Sequence, residues 1–218
     1  MSSNGKKEVC RLRTHKICLP GTVFQVTDIA EEGGHAFFRK VFYVSDNIML
    51  SHLREITGLD AMALQNWVKR KWVPNPNKKY YGPEHLARFL IINMLRETLQ
   101  ISRILYLLRY LNGTEPEDSV ISEADLYDLV CKCFGALVAD GDPAIGTLDR
   151  VIDDVLADYE EPVGGAKRRL VTTLRIMVSA CCSAYVKGQA DEMLDALGAP
   201  PDRQTARHGQ KQERSTDL

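Results

Sequence analysis

Apolar residues recur at steps of three and four residues from position 50 onward, which is the spacing of helices that bury one face. Glycine or proline separates most of the successive runs, and both residues mark helix ends. The runs predict helices at about residues 50–57, 61–70, 83–97, 101–112, 126–137, 148–159, 166–187 and 193–197. The pattern therefore predicts a mostly α-helical fold.

Local signals indicate where the first helices begin and end. Gly58 favours a left-handed C-terminal stop, and Asp60 offers a side-chain oxygen that can cap the next helix. Pro74 and Pro76 require an irregular loop, because proline cannot continue a helix. Pro83 suits the first turn of the helix that follows this loop.

The pattern before residue 48 leaves two structures open. Apolar patches at 23–26 and 37–44 flank Glu31-Glu32-Gly33-Gly34, which is typical of a turn, and the patches fit strands or a short helix. Residues 1–19 are polar and basic, and the chain after Pro200 is almost free of apolar residues, which predicts a disordered tail. The sequence therefore predicts four regions. These are a partly disordered N-terminal segment (1–47), a basic helical module (48–113), a second helical region (114–199) and a disordered tail (200–218).

Charge is distributed unevenly along a chain whose formal net charge is only −1. Residues 49–111 carry 10 Lys and Arg against 4 Asp and Glu, a net charge of +6. Residues 112–162 carry 2 against 14, a net charge of −12. A basic segment suggests a polyanionic partner such as nucleic acid, and the alternative is two solvated faces that attract each other within the protein.

Length and composition exclude several classes of protein. The chain has 218 residues, 44% of them apolar, which is enough to bury a core without disulfides or metal. Six cysteines, two of them adjacent at Cys181 and Cys182, do not have the spacing of a disulfide framework, so reduced thiols and a cytoplasmic location are predicted. The most apolar stretch, Leu170–Val186, contains Arg175 and is shorter than the roughly 20 residues of a spanning helix, so no membrane segment is predicted.

The stretch that is most informative about function lies between Leu50 and Leu111. Two short helices joined through Gly58 have the spacing of a helix–turn–helix, whose second helix enters the major groove of DNA. The second helix ends in Lys69-Arg70-Lys71-Trp72, and the loop behind it carries Lys78-Lys79-Tyr80-Tyr81. Cations mixed with aromatic residues on an exposed loop suit contact with phosphates.

The run ITGLDAMALQNWVKRKWVPNPNKKYYGPEHLARFL resembles the winged helix–turn–helix of the mercury-resistance-regulator (MerR) type. In this comparison Thr57-Gly58-Leu59 corresponds to the turn of that family, and Lys79 and Tyr81 correspond to an arginine and a tyrosine of its wing. Gln65 departs from the family, because it stands where a DNA-contacting arginine is frequent. The resemblance implies a MerR-like winged helix–turn–helix at residues 48–113, followed by a helical C-terminal region.

A denser similarity, over roughly residues 48–135, is to the bacterial family of domains of unknown function numbered 1836. It rests on the strings TGL, QNWVKR, KKY, LARFLIINMLRETLQ and ILYLLRYLNG, and on Asp125-Leu126-Tyr127. This resemblance implies a DNA-binding fold and supplies no established activity.

We therefore expect a sequence-specific transcriptional regulator that binds double-stranded DNA and forms a homodimer through its helical half. The residues expected to contact DNA are Gln65, Asn66, Lys69, Arg70, Lys78, Lys79 and Tyr81. The amides of Gln65 and Asn66 can hydrogen-bond adenine, and the cations can hold phosphates, whereas the alternative is a solvated helix face. Of Tyr80 and Tyr81, one is expected in the core and the other at a phosphate, and both tryptophans are expected in the core.

Two other functional hypotheses stay open. The first is a protein-interaction adaptor whose helix–turn–helix fold does not bind DNA and whose acidic helices dock on a protein partner. The second is intramolecular masking, in which the segment of net charge −12 covers the segment of net charge +6 until an effector or a partner releases it.

No metal, cofactor or catalytic site is expected. Cys10, His15 and Cys18 lie close together, but structural zinc needs four well-placed ligands and a fourth is not evident. Cys181 and Cys182 fall in an apolar helix, where buried and inert thiols are expected. The chain has no glycine-rich phosphate loop and no motif for an activated nucleophile, and the carboxylates at 149–158 have the spacing of a solvated helix face, so the protein is not expected to be an enzyme.

Overall fold

The computed structural model describes residues 18–24, 33–113, 118–139 and 143–198, and helices dominate these ranges. The described helices are α1 (Gly33–Val41), α2 (Leu50–Thr57), α3 (Ala61–Lys69), α4 (Pro83–Leu95), α5 (Ile101–Asn112), α6 (Glu123–Val138), α7 (Leu148–Val155) and α8 (Ala166–Ala196). The prediction of a mostly α-helical fold is confirmed. The predictions of a polar N-terminus and of a C-terminal tail, together with Cys10 and His15, fall almost wholly outside the described residues.

The loop between α3 and α4 contains much less regular pairing than a wing. The pairing described for this loop consists of two isolated antiparallel bridges, Ile48 with Tyr81 and Asn77 with Tyr80. The predicted wing is therefore not confirmed, because a wing needs strands. Pro74 and Pro76 lack the N–H groups that a longer ladder would require.

The apolar patch at 37–44, for which the sequence left two structures open, belongs mainly to helix α1. The backbone N–H of His35 donates to Oδ1 of Asp128 at 2.8 Å, so a carboxylate of α6 satisfies a free N–H in the first turn of α1. Lys132 Nζ lies 2.7 Å from Oδ2 of the same buried carboxylate. A Cβ on Gly34 would lie 2.9 Å from Cδ1 of Tyr127, so glycine permits this close approach of α1 to α6.

A continuous hydrophobic core includes buried residues of all eight described helices. Helix α4 lies at its centre, where Leu86, Phe89, Leu90, Ile91 and Ile92 are all 0% exposed. It packs against α2, α5, α6 and α8, so the core crosses the region boundary predicted near residue 113. The full chain is therefore the unit that experiments should use.

Helix α8 corrects the prediction of two separate C-terminal helices. It is continuous over 31 residues, Ala166–Ala196, and about 46 Å long at about 1.5 Å per residue. No proline interrupts it, and Gly188 is accommodated within the helix at a modest cost.

Helix α8 also has the length and composition that a membrane crossing requires, which among the described helices holds for α8 alone. About 44% of its most apolar 18-residue window is buried inside the fold. A core helix of a soluble protein can have the same length and composition, so these two properties are weak evidence for a membrane span.

Candidate nucleic-acid-binding surface

Helices α2 and α3 are joined by a turn whose residues each have a defined local role. Gly58 has φ 69°, and its N–H donates to the carbonyl of Arg54, which ends α2 in the left-handed conformation that glycine favours. Oδ1 of Asp60 accepts a hydrogen bond of 2.7 Å from the N–H of Ala63 and caps α3. Leu59, between them, is 3% exposed and anchors the turn in the core. The predicted roles of Gly58 and Asp60 are confirmed.

Replacing Asp60 by alanine should lower the free energy of unfolding by about 1 kcal/mol, because the N–H of Ala63 loses its partner. Urea denaturation followed by circular dichroism measures the change. Asp60→Asn keeps a capping oxygen and should stay close to the parent chain. Equal losses in both variants would contradict the capping role.

The outward face of α3 carries both amides that the sequence predicts to contact DNA. Gln65, Asn66 and Lys69 are exposed, whereas Leu64 and Trp67 are buried in the core. Met62 shares the outward face and is 68% exposed. Met62 was not among the residues predicted to contact DNA, although its position four residues before Asn66 places it on the same side of the helix.

The two tryptophans pack between the end of α3 and the core. The Trp67 ring stacks on Phe89 of α4, with ring centroids 6.0 Å apart, and is 6% exposed. Trp72 is half-buried against the core, as predicted. The guanidinium carbon of Arg70 lies 5.1 Å from the centroid of the Trp72 ring, so this cation is held over an aromatic face at the protein surface.

Three lysines around the loop have unusual backbone conformations. Lys71, Lys78 and Lys79 have φ values of 59°, 49° and 80°, and they are the non-glycine residues with positive φ in the described ranges. Lys78 and Lys79 form the centre of the tight turn between Asn77 and Tyr80, where asparagine and glycine are the usual residues. A left-handed conformation costs a residue with a Cβ about 1 kcal/mol, so the fold holds these lysines in place against a local preference.

His85 of α4 contacts the middle and the end of this loop. Nδ1 of His85 accepts a hydrogen bond of 3.3 Å from the N–H of Gly82, and Nε2 lies 3.2 Å from the carbonyl of Asn75. The neutral tautomer with hydrogen on Nε2 satisfies both contacts. The loop is therefore tied to the first turn of α4.

The two tyrosines of the loop have different environments. Tyr81 is 5% exposed, and its ring packs edge-on against His85 and Phe89 at centroid distances of 5.9 and 6.0 Å. Burial raises the pKa of Tyr81. Tyr80 is 50% exposed. The division between one core and one surface tyrosine is confirmed, but Tyr81, the tyrosine chosen for DNA contact, is the core residue, so Tyr80 is the side chain available at the surface.

The cations of this surface are not neutralised by acidic groups within the described chain. Lys69, Arg70, Lys71, Lys78 and Lys79 are all exposed, and none forms an ion pair with a described carboxylate. The described ion pair that joins the basic segment to the acidic one is Arg88 with Glu123, and it involves none of these five cations. Within these ranges, the acidic segment therefore leaves the five cations uncovered.

The cysteines do not contribute to this surface. Cys131, Cys133, Cys181 and Cys182 are buried free thiols, and Cys18 is exposed at the surface. Burial raises the pKa of Cys181 to about 12 and that of Cys182 to about 11, which keeps both protonated and poorly nucleophilic. The described residues contain no group of His, Cys, Asp or Glu that could hold a metal ion.

A cavity of about 520 Å³ lies beside the turn rather than on the basic surface. Thr57, Gly58 and Asn93 line one side, and Tyr185 of α8 lines another. The side-chain N–H₂ of Asn93 donates to the carbonyl of Thr57 at 3.0 Å, which connects the cavity wall to the end of α2. No pattern in the sequence predicted this cavity.

Comparison with known proteins gives one match. Residues 37–130 match the family model described as Domain of unknown function (DUF1836). No curated protein and no solved structure matches the chain. The matched range runs from Phe37 in α1 to Val130 in α6, so the part of the chain that holds α2, α3 and the basic loop is similar to this family of unknown function.

Proposed function

We propose that this protein is a transcriptional regulator that binds double-stranded DNA as a homodimer through α3 and the loop that follows it. The observation that carries the proposal is the group of five exposed cations without a described carboxylate partner: Lys69, Arg70, Lys71, Lys78 and Lys79. Cations left unneutralised on one side of a fold attract a polyanion, and the duplex backbone is such a partner. The proposed role is binding and involves no catalytic residue and no cofactor.

The geometry of α3 supports recognition by a helix in the major groove. Its capped N-terminus, the exposed amides of Gln65 and Asn66, and the exposed Met62 all lie on elements held by buried residues. In helix–turn–helix proteins, residues near the start of the second helix contact base edges. Amide side chains recognise adenine, and an apolar side chain suits the methyl group of thymine.

The basic loop supports a complementary role in phosphate binding. Trp67 of α3 and Tyr81 of the loop both pack on Phe89. One side chain of α4 therefore holds both α3 and the end of the basic loop. Backbone strain at Lys78 and Lys79 is compatible with selection for the position of their charges. Tyr80 can donate a hydrogen bond to a phosphate oxygen from the same turn.

Fluorescence anisotropy with random duplex DNA tests the proposal directly. If five phosphates are neutralised, log affinity should fall with log salt at a slope of about −4.5. Raising salt from about 50 mM to about 200 mM should then weaken binding about 500-fold. The Lys69→Glu/Lys79→Glu variant should bind about 100-fold more weakly at low salt and reduce the slope to about −2.7.

The Lys40→Glu/Lys167→Glu variant is a matched control, because it makes the same change in net charge on exposed cations of α1 and α8. It should bind DNA like the parent chain. Equal losses in both variants would mean that only net charge matters. No binding by the parent chain at low salt would favour the alternative function, a non-enzymatic adaptor that docks on a protein partner.

A further inference from the structure

Helix α8 exposes a seam that follows a heptad spacing. Starting at Thr172, positions on its outward side recur at alternating steps of four and three residues as far as Leu197. This alternation places one stripe along the helix, and it continues for more than three heptads. The outward seam positions after Thr172 are Ile176, Ser179, Ser183, Val186, Ala190, Met193 and Leu197.

Large apolar side chains on this seam are exposed to an unusual degree. Ile176 is 41% exposed, Val186 49%, Met193 50% and Leu197 84%. Every described residue from 190 to 198 is exposed, so the end of α8 extends beyond the helices that cover its first half. Exposed apolar side chains that recur along one stripe, with small polar residues between them, indicate an interaction site.

The middle of the seam suits close packing of a second helix. The hydroxyl of Ser183 donates to the carbonyl of Ser179 at 2.8 Å, and that of Thr172 donates to the carbonyl of Arg168 at 2.8 Å. These small side chains therefore satisfy their hydrogen bonds within α8 and need no partner from outside. Another helix can cover them without leaving a polar group unpaired.

We propose that this seam of α8 binds the same seam of a second copy of the chain, with the two helices parallel. The inference does not depend on DNA binding, because it concerns a surface made by α8 and its neighbours. It gives the proposed homodimer a defined interface.

Two helices, α5 and α7, flank the seam, and their charges favour a second copy of the chain in the parallel orientation. On one side of the seam, Nε of Arg175 lies 2.7 Å from Oδ1 of Asp149, which places α7 there. On the other side, Nη2 of Arg169 lies 3.4 Å from the carbonyl of Asp118, which packs on Gly113 after the end of α5. Arg169 and Arg175 are six residues apart, so at 3.6 residues per turn they lie on different sides of the helix.

The two flanks have opposite charge. Arg103 and Arg109 are both exposed on α5, at different positions around its outward surface. On the outward face of α7, exposed Asp153 and Asp154 lie on either side of exposed Arg150, so the exposed groups named on α5 and α7 carry net charges of +2 and −1. None of these five groups forms an ion pair with a described residue. A two-fold axis parallel to α8 brings α5 of each copy against α7 of the other, whereas an antiparallel pair would bring like charges together.

The size of the surface also fits a dimer. The seam spans 25 residue steps, or about 38 Å, and α8 is about 10 Å wide. Helices α5 and α7 flank only its first half and add strips about 18 Å and about 12 Å long, each about 10 Å wide. Together these strips have an area on the order of 700 Å² on each copy, which is within the range that one partner contributes to a stable interface. Tyr106 of the flanking helix α5 is 66% exposed, and tyrosine is enriched at the centres of interfaces.

Sedimentation velocity of the full chain without DNA tests the interface. The parent chain should sediment as a dimer, and Val186→Glu/Met193→Glu should weaken the dimer about 100-fold, because each buried charge costs tenfold or more. Both side chains are half-exposed in the single chain, so circular dichroism should remain unchanged. The Lys69→Glu/Lys79→Glu variant should stay dimeric, which separates this test from the DNA experiment. A monomeric parent chain, or a double variant that remains dimeric, would overturn the proposal.

Cysteine crosslinking tests the orientation in a chain whose Cys10 and Cys18 are replaced by serine. Met193→Cys should form an intermolecular disulfide under mild oxidation, since a parallel seam brings residue 193 of both copies together. In an antiparallel pair the two sites would be about 25 Å apart, given a rise of about 1.5 Å per residue. Asp195→Cys, on the opposite side of α8, is the control and should not crosslink. Absence of the disulfide at position 193 would overturn the parallel arrangement.

Charge reversal gives a second test of orientation. Arg103→Glu/Arg109→Glu and Asp153→Lys/Asp154→Lys should each weaken the dimer about tenfold, because each places like charges across the interface. Combining all four substitutions on one chain should restore dimerisation. Additive losses in the combined chain would contradict the pairing of α5 with α7.

Discussion

The Trp67→Ala variant is expected to lose about 4 kcal/mol of its free energy of unfolding, the usual range for removing a buried tryptophan. Trp67 is 6% exposed and stacks on Phe89 at a centroid distance of 6.0 Å. It also contacts Trp72, with ring centroids 6.5 Å apart, and Arg96, whose guanidinium carbon lies 6.0 Å from the ring centroid. Removal of the indole would leave a cavity where α3 packs on α4.

Urea denaturation of the full chain, followed by circular dichroism, measures this loss. Trp67→Phe keeps an aromatic ring against Phe89 and should lose less than half as much stability. At a temperature where Trp67→Ala stays folded, its affinity for DNA should fall much less than that of Lys69→Glu/Lys79→Glu, because Trp67 lies inside the fold. A Trp67→Ala variant as stable as the parent chain would contradict the assigned packing.

Features that depend on neighbouring residues were predictable from the sequence. Gly58 and Asp60 end one helix and begin the next through contacts within four residues. Pro83 begins α4 for the same local reason. The exposure of Gln65 and Lys69 also follows from helix periodicity alone, since Leu64 and Trp67 define the buried face.

Features that depend on distant residues were not predictable from the sequence. Helix α1 donates a hydrogen bond from the backbone N–H of His35 to Asp128, 93 residues later, and no local pattern contains that contact. Tyr80 and Tyr81 are adjacent, and the packing of Phe89 decides which ring is buried. The wing was expected from a family resemblance, whereas the described loop forms only isolated bridges. The DNA-binding role of the exposed residues stays a prediction.

Replacing Arg88 by methionine should cost about 3 kcal/mol at about pH 7, because it leaves a mostly buried carboxylate without its cation. Arg88 of α4 and Glu123 of α6 form a two-pronged ion pair, in which Nε donates to Oε2 at 2.6 Å and Nη2 contacts Oε1. The side chains are only 22% and 14% exposed. The backbone N–H of Glu123 also donates to Oε2 of Glu84 at 2.9 Å, so this pair fixes the start of α6 against α4.

The loss should depend on pH in a defined direction. Burial raises the pKa of Glu123 above its ordinary value of 4.5, and Arg88 opposes that rise. Without Arg88 the pKa rises further, so the folded chain binds a proton that the unfolded chain has already released. The stability of Arg88→Met should therefore fall, relative to the parent chain, as the pH rises from 4.5 through the raised pKa.

A second substitution distinguishes charge burial from lost packing. Arg88→Met/Glu123→Gln removes the buried charge and keeps the shape of the side chain, so at about pH 7 it should be more stable than Arg88→Met alone. Its difference from the parent chain should vary less with pH, because the group that titrates is gone. Chemical denaturation at about pH 4.5 and about pH 7 measures all three chains. If Arg88→Met lost the same free energy of unfolding at both pH values, lost packing rather than an uncompensated carboxylate would account for the loss. The ion pair would then not be the interaction that holds α6 on α4.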